Sequence, residues 1–178
     1  MKLKGIFYGL CVLATVGFAS CDKDNGEDQN TLNDTDVDYL IKASIGNTAE
    51  IDAATLASTK ATNPRVKTFA QHMLSEHGLA QTDLKNLSNS VGYPVKDSLD
   101  PAHVAIKAQL TALPAGRAFD SAYMHGQVAD HNTTITNFQV ELANGRHLAV
   151  KDYANKYLPH IQMHLQQADS IANAYFKR

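Results

Sequence analysis

Apolar side chains recur at alternating steps of four and three along four long stretches of the chain, the spacing of helix faces that pack on other helices. Val66, Ala70, Met73, His77, Ala80, Leu84, Leu87 and Val91 form one stripe. Val150, Ala154, Tyr157, Ile161, His164, Ala168, Ile171 and Tyr175 form another, and Ser121, Met124, Val128, His131, Ile135, Phe138 and Leu142 a third. The fourth runs through Leu40, Ala43, Asn47, Glu50, Ala54 and Ala57, and it competes with a face that carries Ile41, Ile45 and Ile51.

Caps and breaks set the boundaries. A first long helix is predicted over about 36–61, with Asn33, Asp34 or Thr35 as cap, and Asn63-Pro64 breaks it. Pro64 suits the first turn of a second helix, which runs to about Val91 before Gly92-Tyr93-Pro94. Asp100 caps a short helix over 101–112. A third long helix covers about 115–143 and stops at Asn144-Gly145, and a fourth covers about 146–175. The two short breaks make antiparallel hairpins of the first and last pairs. The middle connection of about twenty residues fits either an up-down-up-down order or one long crossover. The expected fold is all-α: an antiparallel four-helix bundle over 36–178, with a short extra helix in the middle connection. "KTFAQHMLSE" (67–76) and "KDYANKYLPH" (151–160) share Lys, an aromatic, Ala and Leu at the same places, which points to a duplicated hairpin.

Each stripe carries one group that could ligate a metal: Glu50, His77, His131 and His164. Glu50 and His77 lie about eleven and thirteen residues from the first hairpin turn, roughly 17 and 20 Å along their helices. His131 lies about thirteen residues before the second turn and His164 about seventeen after it. If both turns share one end of the bundle, the four groups converge within about one helical turn. An imidazole in an apolar seam has two ring nitrogens to satisfy, and a metal satisfies one per ring. One Glu and three His suit Zn(II), Cu(II) or mononuclear Fe. Glu76 and Asp130 directly precede His77 and His131 and point about 100° away, so they are expected to support a ring or face solvent. His160 matches the height but lies beside the stripe. Met73 is one turn from His77, and a thioether favours Cu(I), although core filler is the plainer role. His72-Met73, Met124-His125 and Met163-His164 are adjacent pairs that do not share a face, and His103, His125 and His147 read as surface or connection residues. The competing reading is a metal-free cluster that joins the same groups, with Tyr123, by hydrogen bonds and fixes helix register. An oxidoreductase at this site would need an open coordination position.

Composition narrows the picture. Among 178 residues, 44% are hydrophobic and none is Trp, a profile that favours helix over sheet. With 16 Lys+Arg against 18 Asp+Glu and no basic stripe, nucleic acid is not an expected partner. No Glu-x-x-His pair is present, which argues against a carboxylate-bridged di-iron centre. Phosphate-binding Gly loops and nucleophile elbows are also missing.

Residues 1–20 read as a targeting segment: Lys2 and Lys4, then an apolar run from Ile6 to Phe18 of secretory length. Small residues before Cys21 resemble a bacterial lipoprotein processing site, which would leave Cys21 first and lipidated. The alternative is an ordinary signal followed by a free thiol. Residues 21–35 then form a flexible acidic tether. The acidic residues after Cys21 resemble a surface-export signal of bacterial lipoproteins. The expected setting is the cell envelope, membrane-bound through Cys21, on the periplasmic face or the outer-membrane surface.

The stretches "NTAEIDAATLASTKATNPRVKTFAQHMLSEHGLAQTDL", "FDSAYMHGQVADHNTTITNF" and "YLPHIQMHLQQA" resemble the bacterial domain of unknown function family 4142 over about 36–175. The matching positions are Glu50, Glu76-His77, Asp120, Tyr123, His131 and His164. The resemblance implies a ferritin-like fold on exported or lipid-anchored chains, favours His164 over His160 as the inward ring, and raises the expectation of metal by analogy. It implies no settled activity.

Overall fold

The computed structural model describes residues 29–177, so the targeting segment and Cys21 lie outside the described residues. The regular structure of the described residues is all helical, with no strand. Its helices are α1 (Asp34–Lys60), α2 (Pro64–Ser90), α3 (Pro101–Ala112), α4 (Arg117–Asn144) and α5 (Leu148–Tyr175).

Local chemistry explains the boundaries. Asn33 and Asp36 cap α1 reciprocally: Asn33 Oδ1 accepts from Asp36 N at 2.9 Å, and Asp36 Oδ2 accepts from Asn33 N at 2.7 Å. Asn63 caps α2, with Pro64 at its first position, and Asp100 caps α3. The last helix begins at Leu148 rather than near 146, because His147 takes the cap position and its Nδ1 accepts from Ala149 N at 3.2 Å. His147 is therefore a buried cap and not a surface residue. Gly145 faces the Glu141 carboxyl so closely that a Cβ would collide with it.

The competing faces of α1 resolve in favour of the small-residue stripe. Leu40, Ala43, Asn47, Glu50, Ala54 and Ala57 are all buried, while Ile41 is 40% exposed. Small side chains let α2 approach closely along this face. Helix α1 packs along α2 and against α4, α5 packs along α4 and against α2, and α3 lies on α1 and α4.

Two buried aspartates show how the ends meet. Asp120, at the start of α4, accepts from the backbone N of Thr62 (3.1 Å) and Asn63 (2.8 Å) in the α1–α2 turn. Asp36, at the start of α1, accepts from the backbone N of Arg146 (3.0 Å) and His147 (3.1 Å) in the α4–α5 turn. Every partner in one clamp lies 84 residues from its counterpart in the other. The ring pairs Tyr39–Tyr153 and Phe69–Tyr123 obey the same offset, each with centroids 6.3 Å apart. The chain is thus two copies of one hairpin, each copy clamping the turn of the other.

The clamps also choose between the two layouts that the middle connection allows. The two hairpin turns lie at opposite ends, and the middle connection with α3 is the long crossover. His77 lies thirteen residues into α2, His131 fourteen into α4, and His164 eleven before the end of α5, all measured from the same end. Their heights agree within about one helical turn. Convergence survives the reversal because all three stand near the middle of helices of 27 or 28 residues.

The core is split in two. One apolar cluster holds Ala57, Val66, Phe69, Met73, Phe119, Tyr123 and Ala168. The other holds Tyr39, Leu40, Leu84, Phe138, Val150, Tyr153 and Ile161. Between them lies a buried polar layer that includes Asn47, Glu50, His77, Gln127, His131 and His164.

Candidate metal centre

Burial of an ionisable ring requires its nitrogens to find partners. In the polar layer three rings come together instead. His77 from α2, His131 from α4 and His164 from α5 are 3%, 2% and 1% exposed. Each offers one ring nitrogen within 4.8 Å of the others. Their centroids form a near-equilateral triangle with sides of 5.7, 5.4 and 5.5 Å.

Hydrogen bonds decide which nitrogen two of the rings present. Asn47 Nδ2 donates to Gln81 Oε1 and to Tyr153 Oη, both at 3.3 Å, and the Tyr153 hydroxyl donates to Ala80 O at 3.1 Å. The Asn47 carbonyl therefore faces His77, 3.0 Å from its Nδ1. An amide oxygen only accepts, so His77 Nδ1 carries the proton and Nε2 is left with a lone pair. His131 follows the same logic: its Nδ1 donates to the Gln127 carbonyl, one turn back, at 2.9 Å. The Nε2 atoms of His77 and His131, and both ring nitrogens of His164, are buried without a hydrogen-bond partner.

Burial also keeps the rings neutral. Desolvation, joined by the neighbouring rings, holds His77 well below the ordinary imidazole range and His164 at about 3. His131 is held at about 4, again chiefly by desolvation. A neutral ring with a proton on Nδ1 and a bare Nε2 is the ligating form of histidine. Three rings binding one ion at about 2.1 Å through a nitrogen have centroids about 5 to 6 Å apart. The observed triangle falls in that range.

Glu50, expected as a fourth ligand, stands outside the three-ring group. Its Oε2 accepts from Gln127 Nε2 at 2.7 Å, and its Oε1 lies 3.6 Å from His131 Nδ1. Burial pushes its carboxyl up to about 8, so it is largely protonated at neutral pH. It lines a cavity of about 20 Å³ with Asn47, His77 and His131, enough for one water. Glu50 is thus beside the rings on the far side of His131 Nδ1.

The other expected residues are distributed around this group. Glu76 Oε2 lies 2.9 Å from His160 Nδ1, and His160 is exposed. Asp130 is partly exposed and borders a second small cavity with Glu50 and His103, and its carboxyl is raised by burial. Tyr123 is buried between Phe119 and Phe69, and its hydroxyl has no hydrogen-bond partner, so it joins no polar cluster. Asp120 is the turn clamp described above and not a ligand. Met73 is buried in the apolar cluster with Phe69. Asn47, Gln81 and Gln127 orient the rings and Glu50 through contacts between helices that the sequence does not display. Asn47 lies in the predicted stripe, and a buried amide one turn from a buried carboxylate is the available signal.

A family model described as a domain of unknown function, DUF4142, matches residues 22–171. No curated protein matches. A DUF305 fragment from Deinococcus radiodurans has a similar solved structure, with a TM-score of 0.71 at 12% identity, covering 81% of this chain and 99% of that one. CopM in its Cu(II)-bound form is similar with a TM-score of 0.67 at 14% identity, covering 79% of this chain and 97% of that one. At such identities the likeness concerns the fold.

Proposed function

This chain belongs to the DUF4142 family, and we propose that it binds a single transition-metal ion through His77, His131 and His164. The observation that carries the reading is three buried, neutral rings that each bring a nitrogen within 4.8 Å of the others and each hold a buried nitrogen without a partner. Orphaned buried acceptors are rare and costly, and an ion would satisfy one on each ring at once. Three nitrogen donors suit Zn(II), Cu(II) or Fe, and such a set leaves a coordination position for water or a further ligand. CopM was solved with Cu(II), so copper and zinc are the first ions to try. Glu50 would serve as a nearby carboxyl that ionises when positive charge arrives, and not as a direct ligand.

The scaffold fits an antiparallel four-helix bundle of ferritin-like type. In support, each long helix packs on two others that run the opposite way, and one long crossover links the hairpins. We also propose the envelope setting, with Cys21 lipidated as the membrane anchor, and the support is the sequence before and after that residue. The mass of the mature N-terminal peptide tests the anchor.

The competing reading is a lipoprotein without metal, its polar layer fixing helix register. The Asn47–Gln81–Tyr153 network favours a register role for those residues. It leaves the inner nitrogens of the three rings unexplained. Metal analysis of protein purified without chelator decides between them. The wild type should hold close to one ion per chain and melt lower in EDTA. The His77→Ala/His131→Ala variant should lose more than about 100-fold in affinity and show no EDTA response. Equal, trivial metal in both proteins would defeat the proposal.

A further inference from the structure

One ring of the triad belongs to a second group. His72, Glu76 and His164 also bring one ligand atom each within 4.8 Å of one another. His72 and Glu76 are one turn apart on α2, with His72 Nε2 3.9 Å from Glu76 Oε1. The His72 ring stands edge-on to His164, centroids 5.3 Å apart. The second Glu76 oxygen is held from α5 by His160 Nδ1 at 2.9 Å. Unlike the triad, this group reaches water: the His72 and Glu76 side chains are 36% and 29% exposed. His72 also lines a groove of about 740 Å³ beside Phe69, Gln166 and Ile171. His164 is 1% exposed, with neither ring nitrogen partnered. One partnerless buried ring thus has candidate co-ligands on its solvent side and on its inner side.

We propose that His72, Glu76 and His164 form a loading site through which a divalent transition-metal ion reaches the buried triad. This inference rests on the triad reading. A neutral imidazole has one lone pair and one N–H, so His164 holds an ion with His72 and Glu76 or with His77 and His131, but not in both places at once. The outer set contributes a carboxylate at the surface, which attracts a hydrated dication and raises its local concentration. Passage inward exchanges His72 and Glu76 for His77 and His131 and sheds the remaining water. The metal keeps its oxidation state, and no covalent bond in the chain changes.

Zn(II) delivered from a chromogenic chelator, followed by stopped flow, tests the route. His72→Ala/Glu76→Gln should slow uptake on the order of tenfold and slow release equally, leaving the equilibrium affinity unchanged. Both side chains are part-exposed, and a matched melting temperature without metal confirms an intact fold. His77→Ala/His131→Ala should retain weak zinc binding that disappears when His72→Ala/Glu76→Gln is added. Uptake at the wild-type rate in the outer variant overturns the loading route. So does slow uptake with unchanged release, because that places His72 and Glu76 in the final site. Wild-type protein that takes up no zinc defeats the triad reading together with this one, whereas zinc bound with unaltered kinetics in the outer variant defeats this one alone.

Discussion

On His77 the nitrogen available for ligation is selected by an asparagine on another helix. Asn47 can aim its carbonyl at Nδ1 only because its amide hydrogens are engaged by Gln81 and Tyr153. The chain of bonds continues from Gln81 Nε2 to Asp97 Oδ1 at 2.7 Å and from Asp97 Oδ2 to Lys85 Nζ at 2.6 Å, so a surface ion pair steadies a buried ring. Asn47→Ala removes the orienting acceptor and leaves the ligand in place. It should weaken zinc affinity by about 10- to 100-fold, measured by chelator competition, while Asn47→Asp should retain most of it. Full affinity in Asn47→Ala would mean that Nδ1 does not set the ring. The sequence revealed the three histidines because each interrupts an apolar period. It could not reveal Asn47, Gln81 and Gln127 as partners, since an amide acquires a role only from what faces it across helices. The hydrogen bond that holds Glu50 is hidden for a related reason. The height and stripe of Glu50 match the rings, but its carboxyl accepts from Gln127 Nε2 at 2.7 Å and lies against His131 Nδ1 at 3.6 Å, outside the three-ring group.

At the level of elements, helix boundaries were largely legible, because Asn33, Asn63-Pro64, Asp100 and Asn144-Gly145 are local signals that act within one turn. Which ends of the hairpins meet was not legible, because the clamps that decide it span 58 and 110 residues. Asp36 and Asp120 have the composition of ordinary cap residues, yet each satisfies two backbone N–H groups of the other hairpin's turn. Asp120 additionally accepts from the Thr62 hydroxyl at 2.8 Å. Hydrogen bonds to a charged acceptor contribute about 1.5–3 kcal/mol each, and losing the acceptor leaves buried donors stranded. Asp120→Ala should therefore destabilise the fold by about 2–4 kcal/mol in urea titration, with Asp36→Ala similar. The double variant should cost close to the sum, since the clamps occupy opposite ends. A negligible loss in either single variant would contradict the mutual clamp.

For the whole molecule the buried titrating groups pull against one another. His77, His131 and His164 have folded pKa values below the unfolded value, so the unfolded chain binds more protons below about pH 6.5, down to about 4 for His131 and about 3 for His164. Their contribution is complete above 6.5 and is lost as pH falls. Glu50 and Glu141 run the other way. Burial pushes both up to about 8, with the Asp36 carboxyl adding to the effect on Glu141. The folded chain then keeps protons that the unfolded chain releases from about 4.5 upward, and stability drains as pH rises to about 8. Between 4.5 and 6.5 the two sets oppose each other, and above 6.5 only the carboxyls still titrate. The metal-free protein in EDTA should have a broad stability maximum between about pH 5 and 6.5. Its melting temperature should then fall toward pH 8, each carboxyl contributing a slope of at most about 1.4 kcal/mol per pH unit. Glu50→Gln/Glu141→Gln should flatten the alkaline fall and steepen the rise between about pH 4.5 and 6.5, leaving the behaviour below about 4.5 unchanged. Saturating zinc should also flatten it, because a cation beside Glu50 lowers that carboxyl's pKa in the folded state. A melting temperature that climbs steadily from pH 6.5 to 8 in EDTA would show that these carboxyls are already ionised in the fold, and the polar layer would then carry negative charge without metal.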